Sequence, residues 1–208
     1  MPDGHALHEV PRELRGPAVS ERQRIGLAAW ADLAGALAEP GLVDQVDAAG
    51  TALLDALVEG GTLLVAGNGG SAAIASHVAA EFIGKCILDR APLPAVNLAE
   101  SLSSITAVAN DYAYDETFAR GVAALGRPGD VLLAMSTSGG SKNILRALEL
   151  AQEMGLLTIV LTGQRGSDLA GRAHHVLVVP SVETPRIQEA HMLWTHVWCE
   201  AVDVVCQE

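Results

Sequence analysis

Leu63-Leu64-Val65-Ala66-Gly67-Asn68-Gly69-Gly70-Ser71 runs from four apolar residues into a glycine-rich turn, and Ala72-Ala73-Ile74 then opens a row of helix formers. A short apolar run bounded by glycine suits a parallel strand covered on both faces, so this order of residues predicts strand, turn and helix. The glycines let backbone N–H groups approach an anion, the hydroxyl adds a donor, and the helix N-terminus contributes partial positive charge. The pattern returns at an offset of 70 residues, with Leu63 over Leu133 and Ser71 over Ser141. There Val131-Leu132-Leu133-Ala134-Met135 leads into Ser136-Thr137-Ser138-Gly139-Gly140-Ser141. One such loop is a weak signal. Two in one small domain point to a phosphorylated small molecule.

Outward from these loops, strands are predicted near 62–66, 93–98, 130–135, 157–162 and 175–179. Helices fill the intervals near 71–84, 101–109, 113–124 and 141–154, and a last one runs over about 184–205. Alternation with short turns predicts an α/β fold: a five-stranded parallel sheet flanked by helices, with ligand at the carboxyl ends of the strands. Before the first strand, Ser20 can cap a helix reaching Ala38, with Leu27, Trp30, Leu33 and Leu37 at helical spacing; Pro40-Gly41 ends it, and a second helix covers about 42–58. This N-terminal helical hairpin (21–60) belongs to a single domain over 21–208, and its apolar stripe suits an oligomer contact. Residues 1–20, rich in Pro, Gly, His and charge, read as a flexible arm.

The composition limits the function. Thirteen basic against 25 acidic residues give a net charge of -12, which argues against a nucleic-acid partner. A phosphate must therefore be held by backbone dipoles and by Lys142, the local cation just after the second loop. Aromatics make up only 3% of the chain, so the core is built from Ala, Leu, Val and Ile. Cys86, Cys199 and Cys206 form no Cys-x-x-Cys pair and read as plain thiols. No signal peptide or membrane span is evident, and the expected location is the cytoplasm.

The chemistry-bearing side chains sit on two helices. His77 and Glu81, four apart, share one face of the helix that leaves the first loop. On the terminal helix Gln188, Met192 and His196 fall within 80° of one another at about 100° per residue, while His191 points elsewhere. His77, Glu81 and His196 could serve as acid–base groups or as metal ligands. Asn110-Asp111, in an expected break between helices, suits either sugar hydroxyls or a pair of helix caps.

Gly67 to Ser71, the His77/Glu81 helix, Asn110-Asp111, the Ser136-Thr137-Ser138…Ser141 loop and Arg186-Ile187-Gln188-Glu189…His196 together resemble the phosphoheptose isomerases of the sugar isomerase (SIS) superfamily. The resemblance runs from about residue 20 onward. It implies a flavodoxin-like SIS domain, a homotetramer, and conversion of D-sedoheptulose 7-phosphate to D-glycero-D-manno-heptose 7-phosphate through an enediol. It implies Glu81 as general base and His196 as its acid/base partner. It also implies one zinc per subunit on His77, Glu81, Gln188 and His196. Substrate contacts would come from Asn68, Gly69, Gly70, Ser71, Glu81, Asn110, Asp111, Ser136, Thr137, Ser138, Ser141 and Gln188. The departures are Ala72-Ala73-Ile74, Ala80, Lys85, Gly140 and Pro185, none at a position with a chemical role.

Two other readings compete. A non-catalytic SIS binding protein of the replication-initiator-associating type shares the fold and loops but lacks the Glu and the terminal His. Gly67-x-Gly69-x-x-Ala72 formally satisfies a dinucleotide fingerprint, which leaves the Ser-rich second loop without a role. One point of geometry bears on the metal. Gln188 and His196 lie eight residues apart, about 12 Å along a straight helix, whereas bonds to zinc are only about 2 Å. Either the helix bends at its first turn or two subunits share the site; sharing is the expectation, with one of the two side chains coming from a neighbouring subunit, an obligate oligomer and active sites at subunit interfaces.

Overall fold

The computed structural model describes residues 11–206. Strands β1 (Leu63–Gly67), β2 (Ala95–Asn97), β3 (Val131–Ser136), β4 (Leu157–Gly163) and β5 (His175–Val179) form one all-parallel sheet in the order β2-β1-β3-β4-β5. The helices are α1 (Arg12–Leu37), α2 (Pro40–Val58), α3 (Gly70–Ile83), α4 (Leu102–Asp111), α5 (Thr117–Leu125), α6 (Lys142–Glu153) and α7 (Thr184–Val205). Two 3-10 stretches, Tyr114–Glu116 and Gln164–Leu169, complete the described elements. This is the parallel sheet that the alternating pattern predicts, in the flavodoxin-like arrangement that the resemblance implies.

Successive strand residues point to opposite faces, and each face has its own core. Leu63, Val65, Leu133 and Met135 pack with α2, α3 and α7; Leu64, Ala66, Leu132 and Ala134 pack with α5 and α6. Every residue of β1 and β3 is buried, which is why these strands read as unbroken apolar runs.

The strand order reverses between β1 and β3. Gly67 pairs with Met135, so the two Gly/Ser loops leave the sheet side by side at this switch point, where open parallel sheets take their ligands.

Three local expectations change. The second strand has three residues rather than the six of 93–98, because Pro92 and Pro94 cannot donate ladder hydrogen bonds. The first helix starts at Arg12, not after Ser20: Arg12 to Arg15 are good helix formers, and Pro17 removes only one intrahelical bond. Residues 12–20 of the expected arm are thus helical, and residues 1–10 lie outside the described residues. Asn110 and Asp111 do not lie in a break. They are the last two residues of α4, which closes with Tyr112 N–H donating to the Val108 carbonyl at 3.0 Å.

The terminal helix is a strut for both N-terminal helices. α1 buries only Leu33 and Leu37, and Arg186 Nη1 fastens it by donating to the Gly26 carbonyl at 2.8 Å. The Trp198 ring lies against Gly50, where a Cβ would come within 2.5 Å of it, and Trp198 Nε1 donates to the Val46 carbonyl at 3.2 Å.

Candidate functional site

The first loop turns on Gly69, whose φ of +56° is open to glycine, and Gly67 leaves no room for a side chain against the Ser71 backbone 2.6 Å from its would-be Cβ. The second loop turns on Gly139 (φ +70°), whose would-be Cβ falls 2.4 Å from Gly166 Cα. Ser136 Oγ donates to Ser141 Oγ at 3.0 Å, and Ser138 Oγ accepts from Gly140 N–H at 3.2 Å. Ser71 and Ser136 are buried, whereas Gly69, Gly70 and Ser138 are exposed; Thr137 and Ser141 are half-buried.

The two loops are joined through side chains. Asn68 and Asn143 exchange amide hydrogen bonds in both directions, each at 2.9 Å. Tyr114 Oη donates to Asn68 Oδ1 at 2.8 Å, and Thr117 Oγ1 accepts from Asn143 Nδ2 at 3.3 Å. A cavity of about 180 Å³ opens beside this cluster, lined by Gly67, Asn68, Gly69, Ala72, Tyr114 and Thr117 among others. The larger cavity, about 570 Å³, lies under α4 and α5 and reaches the smaller one at Ile105 and Thr117. Lys142, the expected local cation, is exposed with its Nζ 4.0 Å from Asp115 Oδ2.

At the other end of α3, His77 Nε2 lies 2.9 Å from His196 Nε2 and 3.5 Å from Glu81 Oε1. The two rings meet edge to face with centroids 5.1 Å apart. Glu81 Oε2 is buried without a hydrogen-bond partner. Gln188 belongs to the Gly/Ser-loop end: its amide packs on Gly70, where a Cβ would be 2.5 Å from Nε2. α7 therefore runs alongside α3, with Gln188 against its beginning and His196 against His77.

This placement brings three of the four expected metal ligands together without a second subunit and leaves Gln188 apart from them. His77, Glu81 and His196 meet within one chain, because α7 packs on α3 along its length. α7 is continuous from Thr184, so no unwound first turn brings Gln188 to His196. The donor chemistry of the trio fits zinc: two imidazoles and a carboxylate with a free oxygen. Among the described residues, however, no three His, Cys, Asp or Glu side chains are gathered into a ready-made metal site. Asn110 and Asp111 are exposed at the end of α4, where Asn110 Nδ2 donates to Asp111 Oδ1 at 2.8 Å.

Sequence reasoning did not find Tyr114 or Asn143. For Asn143 a signal existed: it shares the buried stripe of α6 with Ala147 and Ala151, and a polar residue on such a stripe needs an internal partner. His191 is fully buried one turn beyond Gln188, with neither ring nitrogen in a hydrogen bond of normal geometry. Burial pushes its pKa down to about 4, against an opposing pull from the Thr162 backbone.

The family model of the SIS domain matches residues 32–163, which span β1 to β4 and both Gly/Ser loops at the switch point. The chain is 47% identical over 163 residues to a phosphoheptose isomerase of Aquifex aeolicus, covering 78% of this chain and 85% of that protein. It is 42% identical over 185 residues to the Burkholderia pseudomallei phosphoheptose isomerase, covering 89% and 90%. Among solved structures it is similar to phosphoheptose isomerase from Neisseria gonorrhoeae, with a TM-score of 0.82 and 38% identity over 89% of this chain and 99% of that one. It is also similar to a phosphoheptose isomerase from Francisella tularensis, with a TM-score of 0.79 and 36% identity over 90% and 97%. The chain belongs to the phosphoheptose isomerases within the SIS-domain family.

Proposed function

We propose that the chain isomerises D-sedoheptulose 7-phosphate to D-glycero-D-manno-heptose 7-phosphate. The observation that carries this reading is the convergence of Glu81, His77 and His196 at one end of α3, while phosphate loops occupy the other. Backbone N–H groups and the hydroxyls of Ser138 and Ser141 hold the phosphate; Asn68 is oriented by Tyr114 and Asn143. Asn110 and Asp111 offer polar groups to the sugar hydroxyls.

In the ring-opened ketose, Glu81 takes a proton from C1, and the C1–H electron pair forms the C1–C2 double bond of an enediol. His196 gives a proton to the C2 oxygen. Glu81, its proton exchanged with solvent while the enediol lasts, then delivers a proton to C2 while His196 takes the proton from the C1 oxygen, which leaves the aldehyde. Each residue ends as it began. His77, within reach of both, holds their relative orientation. In this reading His77, Glu81 and His196 would also hold a zinc ion, which would polarise the reacting carbonyl as a Lewis acid; Gln188, packed on Gly70 at the other end of α3, lies too far along α7 to join them within one chain. Activity as a homotetramer is part of the proposal, supported by exposed Val19 and Leu27 on α1 and Leu193 and Val197 on α7.

Incubation with sedoheptulose 7-phosphate in D₂O, followed by NMR, tests the reading. The expected product is the aldose 7-phosphate carrying deuterium at C2. Absence of turnover overturns the substrate, and product without deuterium overturns the exchangeable-proton mechanism.

A further inference from the structure

The carboxyl end of α3 is secured by two charged side chains that the reaction does not use. The side chains of Arg90 and Asp203 are both fully buried, and Arg90 Nε donates to Asp203 Oδ1 at 2.8 Å. The other carboxylate oxygen, Oδ2, accepts the backbone N–H groups of Cys86 at 3.0 Å, Ile87 at 2.6 Å and Leu88 at 2.9 Å. Arg90 Nη1 donates to the carbonyls of Phe82 and Ala91 at 2.9 and 3.0 Å, and Nη2 donates to the Glu81 carbonyl at 2.9 Å. One ion pair thus binds the last turn of α3, the segment 84–91 and the end of α7.

Its position relates it to the chemistry. Asp203 follows His196 by seven residues, two turns and about 10 Å along α7, on the same helical face. Both side chains therefore look toward α3, His196 at His77 and Asp203 at the segment that leaves the helix just past Glu81. A helix end needs partners for its last carbonyls, and Arg90 supplies them for Glu81 and Phe82. Taking a guanidinium and a carboxylate out of water is costly, and the cost is offset only by complete hydrogen bonding in one arrangement. Here every contact fixes where α3 ends relative to α7.

We propose that Arg90 and Asp203 are positioning residues: together they set the separation between Glu81 and His196. This rests on the isomerase reading of the site, because the value of that separation lies in proton transfer between the sugar and these two side chains. The clamp stands at the opposite end of α3 from the phosphate loops, so its loss slows turnover and leaves phosphate binding alone.

Two variants test this. In Asp203→Asn the amide turns an N–H toward donors, either toward Arg90 or toward the three backbone N–H groups. Arg90→Lys keeps the charge pair but removes the fork that reaches the Glu81 and Phe82 carbonyls. Both are expected to lower kcat at least about tenfold while KM stays within about threefold, with unchanged circular dichroism. Should Asp203→Asn fail to fold, Arg90→Lys carries the test. The imidazole ¹⁵N signals of His77 and His196 are expected to shift in each folded variant, whatever sugar the protein turns over. Folded variants with wild-type kcat and unshifted ring signals would overturn the clamp, as would a rise in KM as large as the fall in kcat. An inactive wild type would instead overturn the reading of the site, and the ring signals alone would then decide the clamp.

Discussion

The two ends of α3 are built on opposite principles. At its beginning, the Gly/Ser-loop end, proposed to take the phosphate, is mostly backbone: Gly69 and Gly139 turn with positive φ, and the N–H groups of Ser71, Ala72 and Gly139 close tight turns. At its close, the end proposed for proton transfer is mostly side chain: a His–His contact, a carboxylate four residues on, and a buried ion pair behind them. The contrast teaches that a charge to be held and a proton to be moved ask for different things. A dianion is satisfied by many weak donors with some latitude in geometry, whereas proton transfer needs two groups held within a hydrogen-bond length of their target.

The largest expected effect falls on the side-chain end. Glu81→Gln keeps size and polarity but removes basicity, so kcat should fall at least about 100-fold with folding intact. Steady-state kinetics decide it: activity within a few-fold of wild type would remove Glu81 from the mechanism and dissolve the distinction between the ends. At the backbone end, single changes should cost less. Ser138→Ala is expected to weaken binding of the 7-phosphate by about 1–3 kcal/mol through a lost charge-assisted hydrogen bond, with kcat little altered. Titration calorimetry with the sugar phosphate would show it, and unphosphorylated sedoheptulose should be a very poor substrate.

His191 lies between the two ends on α7 and bears on the stability of both. Its folded pKa of about 4 lies below the ordinary 6.5, so an unfolded chain takes up a proton that the folded one refuses. This contribution is intact above pH 6.5 and is lost as the pH falls toward 4. Between pH 7.5 and 5.5 the loss should be on the order of 1 kcal/mol, read as a lower urea midpoint. His191→Gln should flatten that difference. The smallest effect is expected for Tyr114→Phe, which removes the hydroxyl on Asn68 Oδ1 and should raise KM a few-fold, or about 0.5–1.5 kcal/mol. A drop in kcat without a change in KM would mean that Tyr114 serves the proton-transfer end instead.

The strand, turn and helix around the first Gly/Ser loop were legible in the chain because these elements are local: an apolar run, glycines and a helix start follow one another without interruption from Leu63 to Ile74. The sheet was legible for the same reason, apart from β2, where Pro92 and Pro94 shorten an apolar run that looked longer. His77 and Glu81 were legible as an i, i+4 pair. Their meeting with His196 inside one chain was not, because it depends on how α7 lies across α3, which no local pattern records. Arg90 and Asp203 were invisible for a related reason. Each is an ordinary charged residue until the other, 113 positions away, is packed against it.

The amide exchange between Asn68 and Asn143 has a consequence for how the protein is made. Its partners are 75 residues apart, and the intervening chain holds α3, β2, α4, α5 and β3. The first loop therefore acquires its final shape only after that whole stretch has condensed onto the sheet. Contacts so distant along the chain form late, since the entropy of closing the loop must be met before the bonds reward it. Recovery of phosphate binding during refolding should accordingly lag behind recovery of helix.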